Sequence, residues 1–333
     1  MTPGQAVDVL LVAAVGGLVG TFVSRAAARR FSILSHPNPN VAQHVRPVAY
    51  LGGIGVAIGV AFGIAMAAIW GDDAMWRPDV WRWDITVGAI AFLALGLADD
   101  LYAFPPARKF VLQTTAAIVV GVLVASGPDG SWADGFTAAL FILVLTNGVN
   151  LVDVADGLVA GLGVIAGVAF AILNPGSAAL AMALAGACAG FLVFNAPPAS
   201  IFLGDAGSHL IGFLLAMLSF DFWRAHPAGT TTTAIILVNG VVLFELLFLF
   251  VVRSAKGIPW WRGSPDHFAL RMQAAGMTRW QVNAIAWIVA ASLGGLALVS
   301  LRGAASAMAA AGIAVVLGGV AWRQLLQLPA RPR

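Results

Sequence analysis

Ile85-Thr-Val-Gly-Ala-Ile-Ala-Phe-Leu-Ala-Leu-Gly-Leu-Ala-Asp99-Asp100 is an apolar run that stops on two adjacent carboxylates. It has no period-two polarity, so it does not read as a strand with one wet face. A helix needs roughly 20 mostly apolar residues to cross a bilayer. Runs of that kind recur near 5–23, 49–70, 85–100, 110–126, 136–152, 157–173, 177–194, 206–220, 233–252, 281–301 and 304–322. Turn chemistry breaks the pattern at Gly127-Pro128-Asp129-Gly130, Asn174-Pro175-Gly176-Ser177 and Ala196-Pro197-Pro198. The runs are too long and uniform for a β-barrel. The fold class expected is all-α, a polytopic membrane protein of eleven spans. One domain is expected over 1–333, with its site on the segments 24–48, 99–109, 147–157, 195–207 and 253–280.

Composition agrees. Of 333 residues 60% are hydrophobic and only 10% charged, and the mean hydropathy is +0.91. A soluble domain carries about 25% charge, so soluble enzymes, disordered chains and disulfide-built domains are excluded. The single cysteine, Cys188, cannot form an internal disulfide. A net charge of +3 would suggest nucleic acid in a soluble chain, but in a membrane chain positive-inside bias accounts for it and no nucleic acid is expected. Arg25, Arg29, Arg30 and Arg46 follow the first run. Alternation through the spans puts Arg108, Lys109, Arg253, Lys256, Arg262, Arg271, Arg279, Arg323, Arg331 and Arg333 on that same face. Only Arg77, Arg82, Arg224 and Arg302 fall opposite. The N-terminus is therefore expected outside and the C-terminus in the cytoplasm. The outer loops are acidic, and Trp70, Trp76, Trp81 and Trp83 cluster at one outer boundary like an interfacial belt. The first run has its arginines after it rather than before, so it does not read as a cleavable signal.

The polar residues converge on the cytoplasmic helix ends. Asp99 and Asp100 close the third run, and Asn147, Asn150, Asp153 and Asp156 recur every three residues at the end of the fifth. On a helix that spacing makes one drifting stripe. Adjacent Asp99 and Asp100 face two directions, which suggests different tasks. Asp205 lies between Gly204 and Gly207 at the start of the eighth run, where a helix N-terminus favours anions. Carboxylates from separate loops crowd one face, and such like charges repel unless a cation sits among them. Asp and Asn oxygens suit Mg²⁺ or Mn²⁺. Lys and Arg residues ring the group, so the set fits phosphoryl chemistry. Packing alone would account for Phe202, and topology alone for the basic residues.

Asp99-Asp100, then Asn147-x-x-Asn150-x-x-Asp153-x-x-Asp156-Gly-Leu, then Phe194-Asn195-x-x-Pro-x-x-x-Phe202-x-Gly-Asp205-x-Gly resemble the polyprenyl-phosphate N-acetylhexosamine-1-phosphate transferases. The likeness runs from about His36 to His267. His44-Val-Arg-Pro47-Val-Ala49-Tyr50-Leu-Gly52-Gly53 resembles the family's His-x-x-Pro-x-Pro-Arg-x-Gly-Gly, with Ala49 and Tyr50 in place of Pro and Arg. The resemblance implies a Mg²⁺-dependent phosphotransferase in the plasma membrane that works at the cytoplasmic face. UDP-N-acetylhexosamine would give its sugar-1-phosphate to polyprenyl phosphate and release UMP, the first membrane step of a lipid-linked glycan. It implies that Asp99 and Asp100 engage or deprotonate the lipid phosphate, with Lys109 steadying phosphates. Asp205 with Asn150 would hold the metal. Asn195 and Phe202 would contact uridine, Phe202 by stacking. Asp153 and Asp156, with Asn147, would complete the polar cleft, and His267 would stand near the diphosphate. The family's last loop is often rich in His. Here Ser264-Pro-Asp266-His267 has one, which points away from the phospho-MurNAc-pentapeptide branch and leaves Arg262 or Arg271 to take a second histidine's part. Direct attack is favoured over an aspartyl-phosphate intermediate, because no separate base for a second step is evident. A homodimer is left open.

An ion-coupled transporter would want acids near the midplane, and only Glu245 qualifies. It reads first as a buried hydrogen-bonded carboxyl. An intramembrane aspartyl protease is a third reading, with only Leu203-Gly204-Asp205 to support it.

Overall fold

The computed structural model describes residues 1–37, 46–70, 82–127, 129–259 and 261–330. His44, Trp76, Arg77, Trp81, Arg331 and Arg333 lie outside them. The fold is all-α and polytopic. Its helices are α1 (Pro3–Arg30), α2 (Gly52–Trp70), α3 (Trp83–Tyr102), α4 (Pro106–Ala125), α5 (Trp132–Val152), α6 (Leu158–Leu173), α7 (Ala178–Asn195), α8 (Gly204–Ala225), α9 (Gly229–Val238), α10 (Gly240–Ala255), α11 (Phe268–Ala274), α12 (Arg279–Ser300) and α13 (Ala304–Gln327). A two-residue antiparallel ladder joins β1 (Leu34–Ser35) to β2 (Val48–Ala49).

Helix starts follow their local chemistry. Thr2 with Gln5, Ser131 with Asp134 and Thr278 with Gln281 form reciprocal caps on α1, α5 and α12. Each box satisfies two backbone donors that a helix N-terminus leaves open. Pro3 and Pro106 open α1 and α4, where proline's missing N–H costs nothing.

Nine described helices are long and apolar enough to span a membrane. Two of the expected runs differ. The ninth, 233–252, is broken: α9 and α10 meet at 77°. Asn239 turns its amide back to the Ile235 carbonyl at 3.0 Å and across to Ser219 Oγ at 3.1 Å, and Gly240 follows. An Asn side chain that bonds nearby backbone competes with helix continuation. The sixth run, α6, has 16 residues. At 1.5 Å each it reaches about 24 Å, short of a hydrocarbon core of roughly 30 Å.

Small residues let helices approach where lipid supplies no hydrophobic drive. α1, α2 and α7 pack this way, and a Cβ on Gly17 would stand 2.6 Å from the Ala187 carbonyl oxygen. At the centre lies α8, packed along α2, α3, α5 and α6. It is 89% buried over its membrane-length stretch, against 11% for α13. Protein rather than lipid surrounds α8, so it tolerates polar residues, and the site is built at its N-terminal end.

Candidate active site

Asp205 is in the first turn of α8, and three other helices converge on it. The Lys109 ammonium of α4 pairs with Asp205, and it meets Asp99 Oδ2 at 2.9 Å. Asn150 of α5 donates to Asp205 Oδ1 at 2.7 Å and to Ser208 Oγ at 3.0 Å. Asp99 is further fixed by the Phe104 amide, 2.7 Å from its Oδ1, where α3 ends in a left-handed Ala103. Asp100 faces elsewhere. Its oxygens accept the amides of Asp205 and Ala206 at 2.7 and 3.0 Å, so it caps α8. Gly204 has φ +75, and a Cβ there would stand 2.7 Å from Asp100 Oδ2. Only glycine suits both the left-handed backbone and that close approach. The two adjacent carboxylates do face different partners: Asp99 holds Lys109, and Asp100 holds the start of α8.

Three further side chains belong to this group and were not among the expected site residues. Tyr50, which follows β2, hydrogen-bonds Asp100. Burial, with the carboxylates of Asp100, Asp205 and Asp153 nearby, holds its phenol well above the ordinary value, so it stays a neutral donor. One helical turn below Lys109 and Asp205, Gln113 and His209 meet at 2.6 Å, and His209 Nδ1 lies 2.5 Å from the Asp205 carbonyl oxygen. A carbonyl only accepts, so Nδ1 carries the proton and a neutral Nε2 accepts from Gln113.

Asp205 and Asn150 also line a cavity of about 560 Å³, within the usual range for a small-molecule site. Tyr50, Asp153, Asp156, Asn195, Phe202 and Arg279 line it as well. Gly52 and Gly53 bring the strand β2 against the 202–207 turn: their amides donate to the carbonyls of Phe202 and Leu203 at 3.0 and 2.9 Å. Phe202 is half-buried and lines the cavity. Asp156 accepts from the Ala199 amide at 3.1 Å and pairs with Arg279 of α12. Asn195 has both amide ends engaged, accepting from Gly157 N and donating to the Ile201 carbonyl, each at 2.9 Å. It shapes the loop that carries Phe202. Asp153 caps α5, and no described group donates to its carboxylate. Burial, then the charges of Asp205, Asp100 and Asp156, push that carboxyl well above its usual range.

Among the described residues no three of His, Cys, Asp and Glu stand close enough to cage a metal. Magnesium does not need a cage: it is commonly held by one or two carboxylates together with substrate phosphates. Asp205, Asn150 and the donor-less Asp153 share one cavity and fit that mode.

The remaining expected residues lie apart. Asn147 turns its amide to the Leu143 carbonyl at 2.8 Å, within α5. His267, Arg271 and Arg262 do not line the cavity. His267 Nδ1 is 2.8 Å from Glu245 Oε1, and Arg253 approaches its Nε2 at 3.4 Å. Arg271 binds Asp266 at 2.6 Å and the Leu325 and Leu328 carbonyls at 3.1 and 2.9 Å. Arg262 is exposed. Glu245 is wholly buried and hydrogen-bonded, as its first reading had it, and it ties α10 to the loop before α11.

Helices of membrane length thus carry, at one end, a group of carboxylates with a lysine, and a small-molecule cavity lies beside it. Residues 83–222, from α3 into α8, match the model of Glycosyl transferase family 4. A decaprenyl-phosphate N-acetylglucosaminephosphotransferase of Mycolicibacterium smegmatis is 33% identical over 285 residues, 74% of this chain and 70% of that protein. A probable undecaprenyl-phosphate N-acetylglucosaminyl 1-phosphate transferase of Bacillus subtilis is 28% identical over 280 residues, 78% and 75% of the two chains. A phospho-N-acetylmuramoyl-pentapeptide-transferase of Shouchella clausii is 37% identical over 171 residues, 49% and 50% of the two. The chain belongs to glycosyl transferase family 4. The family match contains Asp99, Asp100, Lys109, Asn150, Asp153, Asp156, Asn195, Phe202 and Asp205, but not Tyr50, His267 or Arg279.

Proposed function

We propose that this protein transfers N-acetylhexosamine-1-phosphate from a UDP-sugar to polyprenyl phosphate, releasing UMP and leaving a polyprenyl-diphosphate sugar. The observation that carries the reading is the double position of Asp205 and Asn150. Both line the cavity, and both touch Lys109, which reaches Asp99 on the other side. The cavity suits the nucleotide donor, with Phe202 available to the base. The Lys109–Asp99 side suits the phosphate of a lipid whose chain stays among the helices. In that arrangement an oxygen of the acceptor phosphate attacks the phosphorus next to the sugar. The bond from that phosphorus to the oxygen shared with UMP breaks, and UMP leaves with that oxygen.

The barrier is electrostatic. Two unit charges 4 Å apart interact by about 4 kcal/mol at an effective dielectric of 20, and donor and acceptor bring several. Lys109 donates closely to Asp99 and Asp205 and only at 3.4 Å to Asn150 Oδ1, and that weakest contact is the one a phosphate oxygen would replace first. Asp99 would orient the acceptor or take its last proton. Asp205, Asp153 and Asn150 would hold a divalent cation, which when bound draws negative charge from the phosphate oxygens. Charge asymmetry supports placing this end of the helices in the cytoplasm of a plasma-membrane protein.

The test is the full chain, purified in nanodiscs with polyprenyl phosphate, Mg²⁺ and a panel of UDP-sugars, with UMP as the readout. UMP release that needs both lipid and metal is the expected result. UDP-sugar uptake into vesicles without UMP release would overturn it in favour of transport.

A further inference from the structure

The first turn of α12 brings Arg279 to the cavity, although it stands more than 70 residues beyond the motif that ends at Gly207. Its Thr278–Gln281 box fixes the turn: the Gln281 amide donates to Thr278 Oγ1 at 3.2 Å, and Thr278 N donates to Gln281 Oε1 at 2.8 Å. Three side chains of this turn then reach the motif loops. The Arg279 guanidinium pairs with Asp156 Oδ2. Asn283 Nδ2 donates to the Asp156 carbonyl at 2.7 Å. Trp280 Nε1 donates to the Pro197 carbonyl at 3.1 Å.

Asp156 is thereby held from three sides. Its Oδ2 takes both Arg279 and the Ala199 amide, while no described group donates to Oδ1. Asp156 lines the cavity together with Arg279. A carboxylate whose oxygen accepts from a guanidinium offers its other oxygen as a further acceptor. A ligand group that meets Oδ1 must therefore present an N–H or an O–H. The pairing also offsets one of the negative charges that Asp153, Asp156 and Asp205 would turn on an anionic donor.

We propose that Arg279 is a positioning residue of the nucleotide site: it fixes Asp156 as a charge-compensated acceptor for an N–H or O–H of the donor's nucleoside half. This rests on the reading of the cavity as the UDP-sugar site. The part played by Arg279 is separate from the phosphate chemistry at Lys109 and Asp99, so its loss should be felt in donor binding and hardly in the chemical step.

The experiment titrates UMP calorimetrically into the full chain in nanodiscs. It also measures KM for UDP-sugar, KM for polyprenyl phosphate and kcat, for wild type, Arg279→Gln, Arg279→Lys, Asp156→Asn and the Arg279→Gln/Asp156→Asn double variant. Loss of a charge-assisted contact predicts a drop in UMP affinity of roughly tenfold to a hundredfold in Arg279→Gln. KM for UDP-sugar should rise in parallel, with kcat and the lipid KM within about twofold. Arg279→Lys should fall between Arg279→Gln and wild type, and it serves alone where Arg279→Gln does not fold. The double variant should be no worse than the poorer single variant, because the two side chains act as one unit. UMP affinity within about twofold of wild type in both Arg279 variants would overturn the proposal, as would a fall in kcat with donor KM unchanged or fully additive losses. Wild-type protein that binds no UMP would sink the donor reading itself, an outcome distinct from the failure of Arg279 alone.

Discussion

Phe202 lines the cavity on a loop that the Asn195 amide holds in shape. A stacked aromatic contributes roughly 1–3 kcal/mol per base, and uracil is not the reacting group. Stacking that is equal in ground and transition states moves KM and leaves kcat. Phe202→Ala is thus expected to raise KM for the UDP-sugar by about tenfold to a hundredfold, with polyprenyl-phosphate affinity hardly changed and Phe202→Trp milder. UMP titrated into Phe202→Leu decides it, because unchanged affinity would remove the ring from the nucleotide site. Asp205 lines the cavity and pairs with Lys109, so under the proposed function it would stand between both substrates and Asp205→Ala is expected to abolish turnover; a variant that still turns over in excess chelator would refute its role with metal. Asp153 has the opposite relation to stability. Its folded-state pKa is raised by burial and by three neighbouring carboxylates. An acid raised in this way lowers stability as pH climbs past its unfolded value of about 3.9, and the penalty is complete only above the folded value. Asp153→Asn without divalent ions should therefore melt higher than wild type at pH 8, with the difference shrinking toward pH 4. The same variant should lose activity. Equal melting temperatures across that range would show that Asp153 is not under this strain.

At the scale of elements, two rungs bridge α4 and α8. The upper is Lys109 with Asp205 and the lower is Gln113 with His209, one turn along each helix. The lower rung is neutral and fully buried, so Gln113→Leu strands His209 Nε2. A buried polar atom without a partner costs about 1–3 kcal/mol. The expected result is a lower melting temperature together with a reduced kcat, since the same two helices space Lys109 from Asp205. A stability loss with kcat intact would show the rung to be packing alone. The rungs also mark how far elements were legible in the sequence. Hydrophobic runs placed α1 to α5, α7, α8, α12 and α13, because a bilayer imposes length and apolarity on each helix separately, although α1 runs seven residues past its run and α8 and α13 five. The α9–α10 break was not legible as a break, since it depends on Ser219 of α8 reaching Asn239 from outside the run. Gln113 and His209 were passed over for the same reason: a single polar residue in an apolar run has meaning only when its partner on another helix is known.

For the molecule as a whole, the site was legible where the motifs were dense. The Asn150–Asp156 stripe and the 195–207 loop do meet around one cavity, and the Asp99-Asp100 pair joins them through Lys109 and the start of α8. The last loop was not, because a lone His267 gives no spacing to read, and the structure sets it against Glu245 and Arg253. Arg279 had been counted only as a topological charge, and its pairing with Asp156 spans 123 residues of sequence. Topology is the remaining molecular-scale claim. Among the described residues nine helices are long and apolar enough to cross, ten with the bent α9–α10 pair taken as one span, and the expected eleven would need the shorter α6 to cross as well. An odd number would put the termini on opposite sides, and the arginine-rich ends would then point the C-terminus inward. Cys188 is the only cysteine of the chain and is wholly buried, so a membrane-impermeant maleimide should leave the natural protein nearly unlabelled. Thr2→Cys and Ala330→Cys then report the two ends directly. Labelling of Thr2→Cys in intact cells, and of Ala330→Cys only after permeabilisation, is expected. Both positions labelling from the same side would require an even number of crossings. In that case α6 would not cross, or the bent pair would enter and leave by one face, and the charge bias would have misled the assignment.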